Sequence, residues 1–371
     1  MLASSGVLSL ALLGDALLYA VLPAHAASFG ITLVWVGILL SANRFVRVFA
    51  YGYVARLTAA VGMRRMCILA AAGAVVATGL YGLGDGAAWL LLARVLWGLV
   101  YAVLLLVTLA YAVEQRSAAG TRIGWSRTVQ RIGPIASLLG GAWLTGVLGP
   151  RNVFVVLAMV SALALPLAFM LPRDLAAAAP PAPRTPALGK PNTMDALFFL
   201  QGLGVDGVFA LSITLILAQR QELSVAVLAG GALLAMRHVG EAVAAPLFGA
   251  LGDRFGAARV FLFSALMTSL GFAGIAADHT VAGALLMLVF RGALASLGPA
   301  AVVQATHADA SVMVPLARLQ AWRDLGAAIG PLVTGYALSL VTAQWLHGVL
   351  AGLTLAGLVA WWHAIGRHAR T

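Results

Sequence analysis

A chain of 371 residues that is 62% hydrophobic and only 9% charged, with a mean hydropathy of +0.99, does not describe a soluble protein and points to an integral membrane protein. Its 23 Lys and Arg against 12 Asp and Glu give a formal charge of +11, which raises a polyanion as partner until the cations are placed. The one cysteine, Cys67, excludes an internal disulfide and a cysteine-built metal centre, and it fits a buried apolar position.

A transmembrane helix needs about 20 apolar residues. Twelve stretches meet that length, at about 4–23, 32–56, 66–84, 88–113, 122–148, 151–171, 194–218, 224–251, 258–277, 280–305, 314–340 and 344–366. The first reads as a helix rather than a signal peptide. The small-residue stretch LPAHAAS follows it, but no basic segment precedes it and Asp15 interrupts the apolar run. Segment 172–193, rich in Pro and Ala, reads as a linker between an N-terminal six-helix bundle (1–171) and a C-terminal one (194–371). No room is left for a separate catalytic domain, so function must lie in the bundle.

With the N-terminus inside, twelve cations fall on cytoplasmic segments: Arg56, Arg64, Arg65, Arg116, Arg122, Arg173, Arg184, Lys190, Arg254, Arg259, Arg367 and Arg370. Only Arg151 and Arg220 fall on the other side. This positive-inside asymmetry predicts a multi-pass protein of the cell's inner (cytoplasmic) membrane, with both termini and the linker cytoplasmic. The basic charge is then topology; the partner is the lipid bilayer, not nucleic acid. Trp35, Trp89, Trp345, Trp361 and Trp362, at span ends, suit interface anchoring.

Sliding the second half against the first exposes a duplication. At an offset of 194, GILLSANRFVRVFAYGYVARLTAAVGMRR (37–65) lies without a gap on GALLAMRHVGEAVAAPLFGALGDRFGAAR (231–259), pairing Gly62 with Gly256 and Arg65 with Arg259. The same offset pairs Gly98 with Gly292 and brings Asp15 within three residues of Asp206; an offset of 197 matches WSRTVQRIGP (125–134) with WRDLGAAIGP (322–331).

Two six-helix halves in parallel repeat resemble the organisation of the major facilitator superfamily of secondary transporters. The fold implied is an all-α polytopic membrane protein of twelve transmembrane helices in two pseudo-symmetric halves. Local motifs extend the resemblance. GALGDRFGAAR, with Gly249, Asp253, Arg254, Gly256 and Arg259, is similar to the family's loop signature G-x-L-x-D-R-x-G-R-R. In the family this loop also follows helix two, and its Asp and Arg latch the halves in the outward-facing state. Here the first-half copy keeps Gly62, Arg64 and Arg65 but has Ala59 at the Asp position. RVLWGLVYA (94–102) resembles the helix-four motif R-x-x-Q-G-x-G-A with Trp97 replacing Gln, which implies a role for Arg94 near proton coupling. RIGPIASLLGG (131–141) carries the Gly133-Pro134 of the antiporter motif without the glycines that normally precede it. Gly133-Pro134 and Gly330-Pro331 suit helix kinking and close packing equally well.

Other motifs fail. GLGVDG (202–207) fits G-x-G-x-x-G but lies in an apolar span without strand context, so it reads as a helix-packing glycine cluster. Lys190 follows no phosphate loop, and seven histidines show no metal-site spacing.

Nine arginines remain within the membrane: Arg44, Arg47, Arg94, Arg127, Arg131, Arg237, Arg291, Arg318 and Arg323. Against them stand Asp15, Asp206, Glu241 and Asp324, with Asp195 nearer the cytoplasmic end. A charge at mid-bilayer costs about 2.5–3.5 kcal/mol on the insertion scale, so each faces a partner or a water-filled cavity. Spacing pairs Arg237 with Glu241, i and i+4 on helix eight. In the repeat these align with Asn43 and Arg47, where helix two offers no acid, and depth makes Asp15 the expected counter-charge of Arg44. Arg323 and Asp324 diverge by about 100° and are expected to serve different neighbours. For Arg44 and Arg47 two readings stay open, a structural ion pair and an anion-binding or gating charge. For Arg127, Arg131 and Arg318, near the cytoplasm, snorkelling or a gate salt bridge is expected.

The function expected is secondary active transport by alternating access, without enzymatic activity and without a cofactor other than the proton gradient. Proton-coupled export of a small anionic metabolite or drug-like molecule by a monomer is the leading reading. Asp15, Asp206, Glu241 and Arg94 would handle the proton; Tyr19, Asn43, Arg44, Arg47, Trp97, Tyr101, Arg237, His238 and Arg291 are the substrate-binding candidates. Core packing competes for Tyr19, Trp97 and Tyr101. An organic-anion importer or exchanger with Arg47 and Arg237 as clamp is the alternative, and a non-transporting sensor on the same scaffold is a third.

Overall fold

The computed structural model describes residues 1–172, 188–221, 223–306, 311–338 and 340–368. Over 173–187 the predicted linker lies outside the described residues, with Arg173 and Arg184, as do Arg370 and the side chain of Arg367. The described residues are helical, with no strand.

Twelve helical rods follow in chain order, numbered as the predicted spans. They are Leu2–Ala24, Leu33–Val61, Met63–Leu83, Ala87–Ala112, a fifth in three pieces (Ala119–Ala136, Ser137–Gly141, Ala142–Leu148), and a sixth in two (Asn152–Ser161, Ala164–Phe169). The seventh is again in three (Thr193–Gln201, Gly202–Phe209, Ala210–Ala218), followed by Leu223–Phe255, Ala257–Ala276, Thr280–Ala305, Met313–Ala337 and Ala343–His368. Helices two and eight run longer than the sequence suggests, into the basic loops. Among the described residues, nine helical stretches are long and apolar enough to cross a membrane.

The turns between helices two and three and between eight and nine show why the repeat keeps a glycine. Gly62 has φ 97° and Gly256 φ 91°, a region that a side chain makes costly. Each lets one helix stop and the next begin at once.

Helix seven is not α-helical over Gly202–Phe209, and helix five is not over Ser137–Gly141; both stretches are π-helical. Such wide turns are rare and cluster at functional sites. Glycines make helix seven's possible: a Cβ at Gly207 would clash with the Gly330 backbone, and one at Gly202 with the carbonyl of Arg323. The packing reading of GLGVDG therefore holds, with a backbone geometry the sequence does not announce.

The chain forms two compact units. The first comprises 1–114, 128–187 and 306–317; the second comprises 115–127, 188–305 and 318–371. Leu17, Phe29, Tyr81 and Phe154 centre the core of the first, Phe209, Phe272 and Met287 that of the second. Each unit repeats one crossing. A Cβ on Gly98 would lie 2.8 Å from the Asn43 carbonyl oxygen and 2.9 Å from Val46 Cβ; one on Gly292 would lie 2.9 Å from Glu241 Cα and from the Gly240 carbonyl oxygen. Helices two and four thus meet in the register of helices eight and ten, as an offset of 194 requires.

Candidate functional site

In the first unit Arg94 is fully buried, and each of its three guanidinium nitrogens has an acceptor. Its Nη1 meets Asp15 Oδ1 at 2.5 Å, Nε donates to the Leu39 carbonyl at 2.9 Å, and Nη2 reaches Tyr19 Oη at 3.4 Å and the Leu40 carbonyl at 3.5 Å. Tyr19 Oη in turn donates to the Leu40 carbonyl at 3.2 Å. One guanidinium therefore ties helices one, two and four. This corrects the expected pairing of Asp15 with Arg44. Asp15 answers Arg94, because a fully desolvated guanidinium needs a close anion more than the half-buried Arg44 does. Arg47, 7% exposed, stacks on Tyr101 with its Cζ 4.4 Å from the ring centroid. Trp97 is buried beside that ring, at 5.9 Å.

In the second unit Asp206, within the π-helical stretch, gathers three cations. Arg237 Nη1 lies 2.7 Å from Oδ1, Arg323 Nη2 3.4 Å from Oδ2, and Arg291 Nη2 4.0 Å from Oδ1. Glu241 Oε2 accepts from Arg291 Nη1 at 3.0 Å, and both are buried. Arg237 and Glu241 thus do not neutralise each other along helix eight as expected; each pairs with a charge on another helix, where the side chains converge without stretching along one surface. Arg323 also reaches Asp324 at 3.6 Å, so these neighbours do share an interaction despite their divergence. The cluster has an accessible edge, since the side chains of Arg237 and Arg323 remain 22% and 20% exposed. His238, beside Arg237, is half-buried.

Arg323 and the carbonyls of Leu39 and Leu40 were absent from the sequence-derived site. Nothing in a single sequence marks the carbonyls; for Arg323, its depth relative to Asp206 on helix seven was the available signal.

The loop motif of the second half has a definite task. Asp253 accepts from the backbone N–H groups of Gly120 and Thr121, each at 2.7 Å, and so caps the start of helix five. Gly249 permits this by lying against the Gly120 backbone. Arg254 rests over Phe255 at 5.2 Å, and Arg259 is exposed. The first-half copy works through another residue. Arg64 donates to the Phe169 carbonyl at 2.6 Å, where helix six ends, while Arg65 is exposed. Gly133 lies against helix one, its N–H donating to Ser9 Oγ at 2.8 Å, while Pro134 and Pro331 sit inside their helices. Arg318 makes a salt bridge to Asp195 at 2.9 Å, and Asp195 forms a capping box with Asn192.

The family model of the Major Facilitator Superfamily matches residues 5–199 and 196–371. The chain belongs to the Major Facilitator Superfamily. It is accordingly a multi-pass membrane transporter, not an enzyme. Among solved structures it is similar to the human organic anion transporter MFSD10 (TETRAN), with a TM-score of 0.76 and 16% identity over 96% of this chain and 97% of that one. No curated protein sequence matches.

Proposed function

We propose that the protein is a proton-coupled exporter of a small organic anion, working by alternating access from the inner membrane with both termini in the cytoplasm. Residues 1–171 and 194–371 would be the moving halves and 172–193 their linker. The observation that carries the reading is Asp206. One carboxylate on helix seven holds guanidinium groups of helices eight, ten and eleven, so its charge state governs how four helices are held together. Asp15 with Arg94 would be the first-half counterpart. The arginine excess within the membrane suits an anionic cargo, in keeping with the description of MFSD10 as an organic anion transporter.

The test is flux of organic anions in proteoliposomes under an imposed pH gradient. Asp206→Asn and Asp15→Asn are each expected to abolish gradient-driven transport. Transport at the normal rate in both would overturn proton coupling through these residues. The second reading, anion exchange with Arg47 and Arg237 as clamp, is favoured if counterflow proceeds at equal pH on both sides without proton movement.

A further inference from the structure

The internal repeat also sets one outer surface of the first unit apart. On helix two, Phe49, Tyr53 and Arg56 follow one another at helical spacing and are all exposed, so they form one stripe. On helix three, Arg65, Leu69 and Val76 do the same. The two helices are in contact and are joined at Gly62. At 1.5 Å per residue, Arg56 stands about 9 Å before that turn and Arg65 about 4.5 Å after it, so the two lie within about 5 Å in depth. Each apolar stripe thus ends in an arginine at the loop that the charge asymmetry places in the cytoplasm.

Neither cation has an acidic partner among the described residues. Arg56 donates Nε to the Gly52 carbonyl of its own helix at 3.3 Å, and Arg65 makes no hydrogen bond or ion pair there. The surrounding chain offers no acid either, for residues 16–84 contain Arg44, Arg47, Arg56, Arg64 and Arg65 and no Asp or Glu. The second unit carries the same exposed stripes with another ending. At the offset of 194, Val243 and Leu247 stand for Phe49 and Tyr53, and Ala250 stands for Arg56. Arg259 keeps the place of Arg65, but its loop holds an acid, Asp253, where the first has Ala59. Lipid tails account for the apolar faces of both units. They do not account for two unpaired guanidinium groups and two aromatic rings at the end of one.

We propose that the cytoplasmic end of helices two and three binds an anionic phospholipid. Arg56 and Arg65 hold its phosphate, while Phe49 and Tyr53 lie along the part of its acyl chains next to the headgroup, the depth that aromatic side chains favour. The lipid brings the negative charge that no side chain here supplies, and guanidinium groups donate well to phosphate oxygens. A zwitterionic lipid offers the same phosphate with a cation attached, which the two arginines repel. The site is on the outside of the bundle and is independent of the transported cargo.

The test mixes the purified full-length protein in detergent with dioleoyl phosphatidylglycerol or dioleoyl phosphatidylcholine and reads bound lipid by native mass spectrometry. Phosphatidylglycerol is expected to bind at least 10-fold more tightly. A juxtamembrane arginine is worth about 5-fold in affinity for anionic lipid. Arg56→Ala, which writes the second unit's residue into the first, and Arg65→Gln should therefore each weaken phosphatidylglycerol about 5-fold, and together about 25-fold, with phosphatidylcholine unchanged. The control is Arg254→Gln with Arg259→Gln, which removes two exposed cations from the matching loop and should change binding less than 2-fold. A phosphatidylglycerol with a photoreactive acyl chain should label residues 49–76 in the wild type and lose that label in Arg56→Ala with Arg65→Gln. Equal losses in the two double variants overturn the site, since diffuse attraction counts charges and not places. Equal binding of the two lipids, or labelling confined to other helices, overturns it too.

Discussion

The two units solve the same problem, charge inside a membrane protein, in different ways. In the first, Arg94 spends its donors on one carboxylate, one hydroxyl and two backbone carbonyls and is wholly removed from water. In the second, Asp206 faces three guanidinium groups, two of them on the accessible edge. The first arrangement is a clamp of one carboxylate on one guanidinium; the second allows partners to be exchanged within one cluster. The duplication has preserved the backbone crossing at Gly98 and Gly292 while the charges around it have diverged.

The widest difference should appear on breaking each arrangement. Arg94→Leu strands a mostly buried carboxylate and is expected to cost about 3–5 kcal/mol, the range for removing one partner of a buried pair. Arg237→Gln, at a part-exposed position with Arg323 and Arg291 still near Asp206, should cost about 1 kcal/mol or less, the range of solvent-screened pairs. Unfolding of the purified variants in detergent measures both. Similar losses would erase the distinction between clamp and exchangeable cluster.

A next effect lies in the backbone. Gly133→Ala places a methyl group on the Ser9 carbonyl and must push helices one and five apart; about 1–3 kcal/mol is the usual cost of such overpacking. Gly140→Ala, with open space around its Cβ position, serves as the control and should lie within about 0.5 kcal/mol of wild type. Equal losses in the two variants would mean that helix propensity, not the helix contact, governs this stretch.

Much of this architecture is legible in the sequence, for stated reasons. Twelve apolar stretches, the 194-residue offset and the Gly62/Gly256 pair are local or repetitive signals, and each corresponds to something in the structure. Pairing is different. The i, i+4 rule finds partners only on one helix, whereas Arg237 reaches Asp206 across 31 residues of chain and Arg94 reaches Asp15 across 79. Depth in the bilayer narrows these choices without deciding them, which is why it points Asp15 to Arg44 when the partner is Arg94. The π-helical turn around Asp206 had no signal beyond its glycines, since what stabilises it is the closeness of helix eleven.

The loop motif gives a smaller contrast. Asp253→Ala removes the side-chain acceptor for two N–H groups at the start of helix five and should cost about 0.5–2 kcal/mol, as for other helix caps. Asp253→Asn retains one acceptor oxygen and should recover part of that loss. Arg64→Ala, in the first-half copy, removes one cation from the end of helix six, where about 0.3–1 kcal/mol is usual. Amide exchange at Gly120 and Thr121 should rise in Asp253→Ala and stay unchanged in Arg64→Ala.

The smallest effect is expected where both units do the same thing. Arg151 meets Asp85 at 3.3 Å in the first, and Arg220 meets Asp278 at 2.9 Å in the second, all four side chains about a third exposed or more. Water solvates either charge nearly as well as its partner does, and holding two long side chains together has an entropic cost, so each pair should contribute only about 0–1 kcal/mol. Double-mutant cycles with alanine should give coupling energies at the low end of that range, shrinking further as salt rises toward 1 M, where the screening length falls to about 3 Å. A coupling above about 2 kcal/mol in one pair, insensitive to salt, would mean that this pair is desolvated in the membrane-bound protein. The contrast between the units would then extend from their buried charges to the loops on their outer ends.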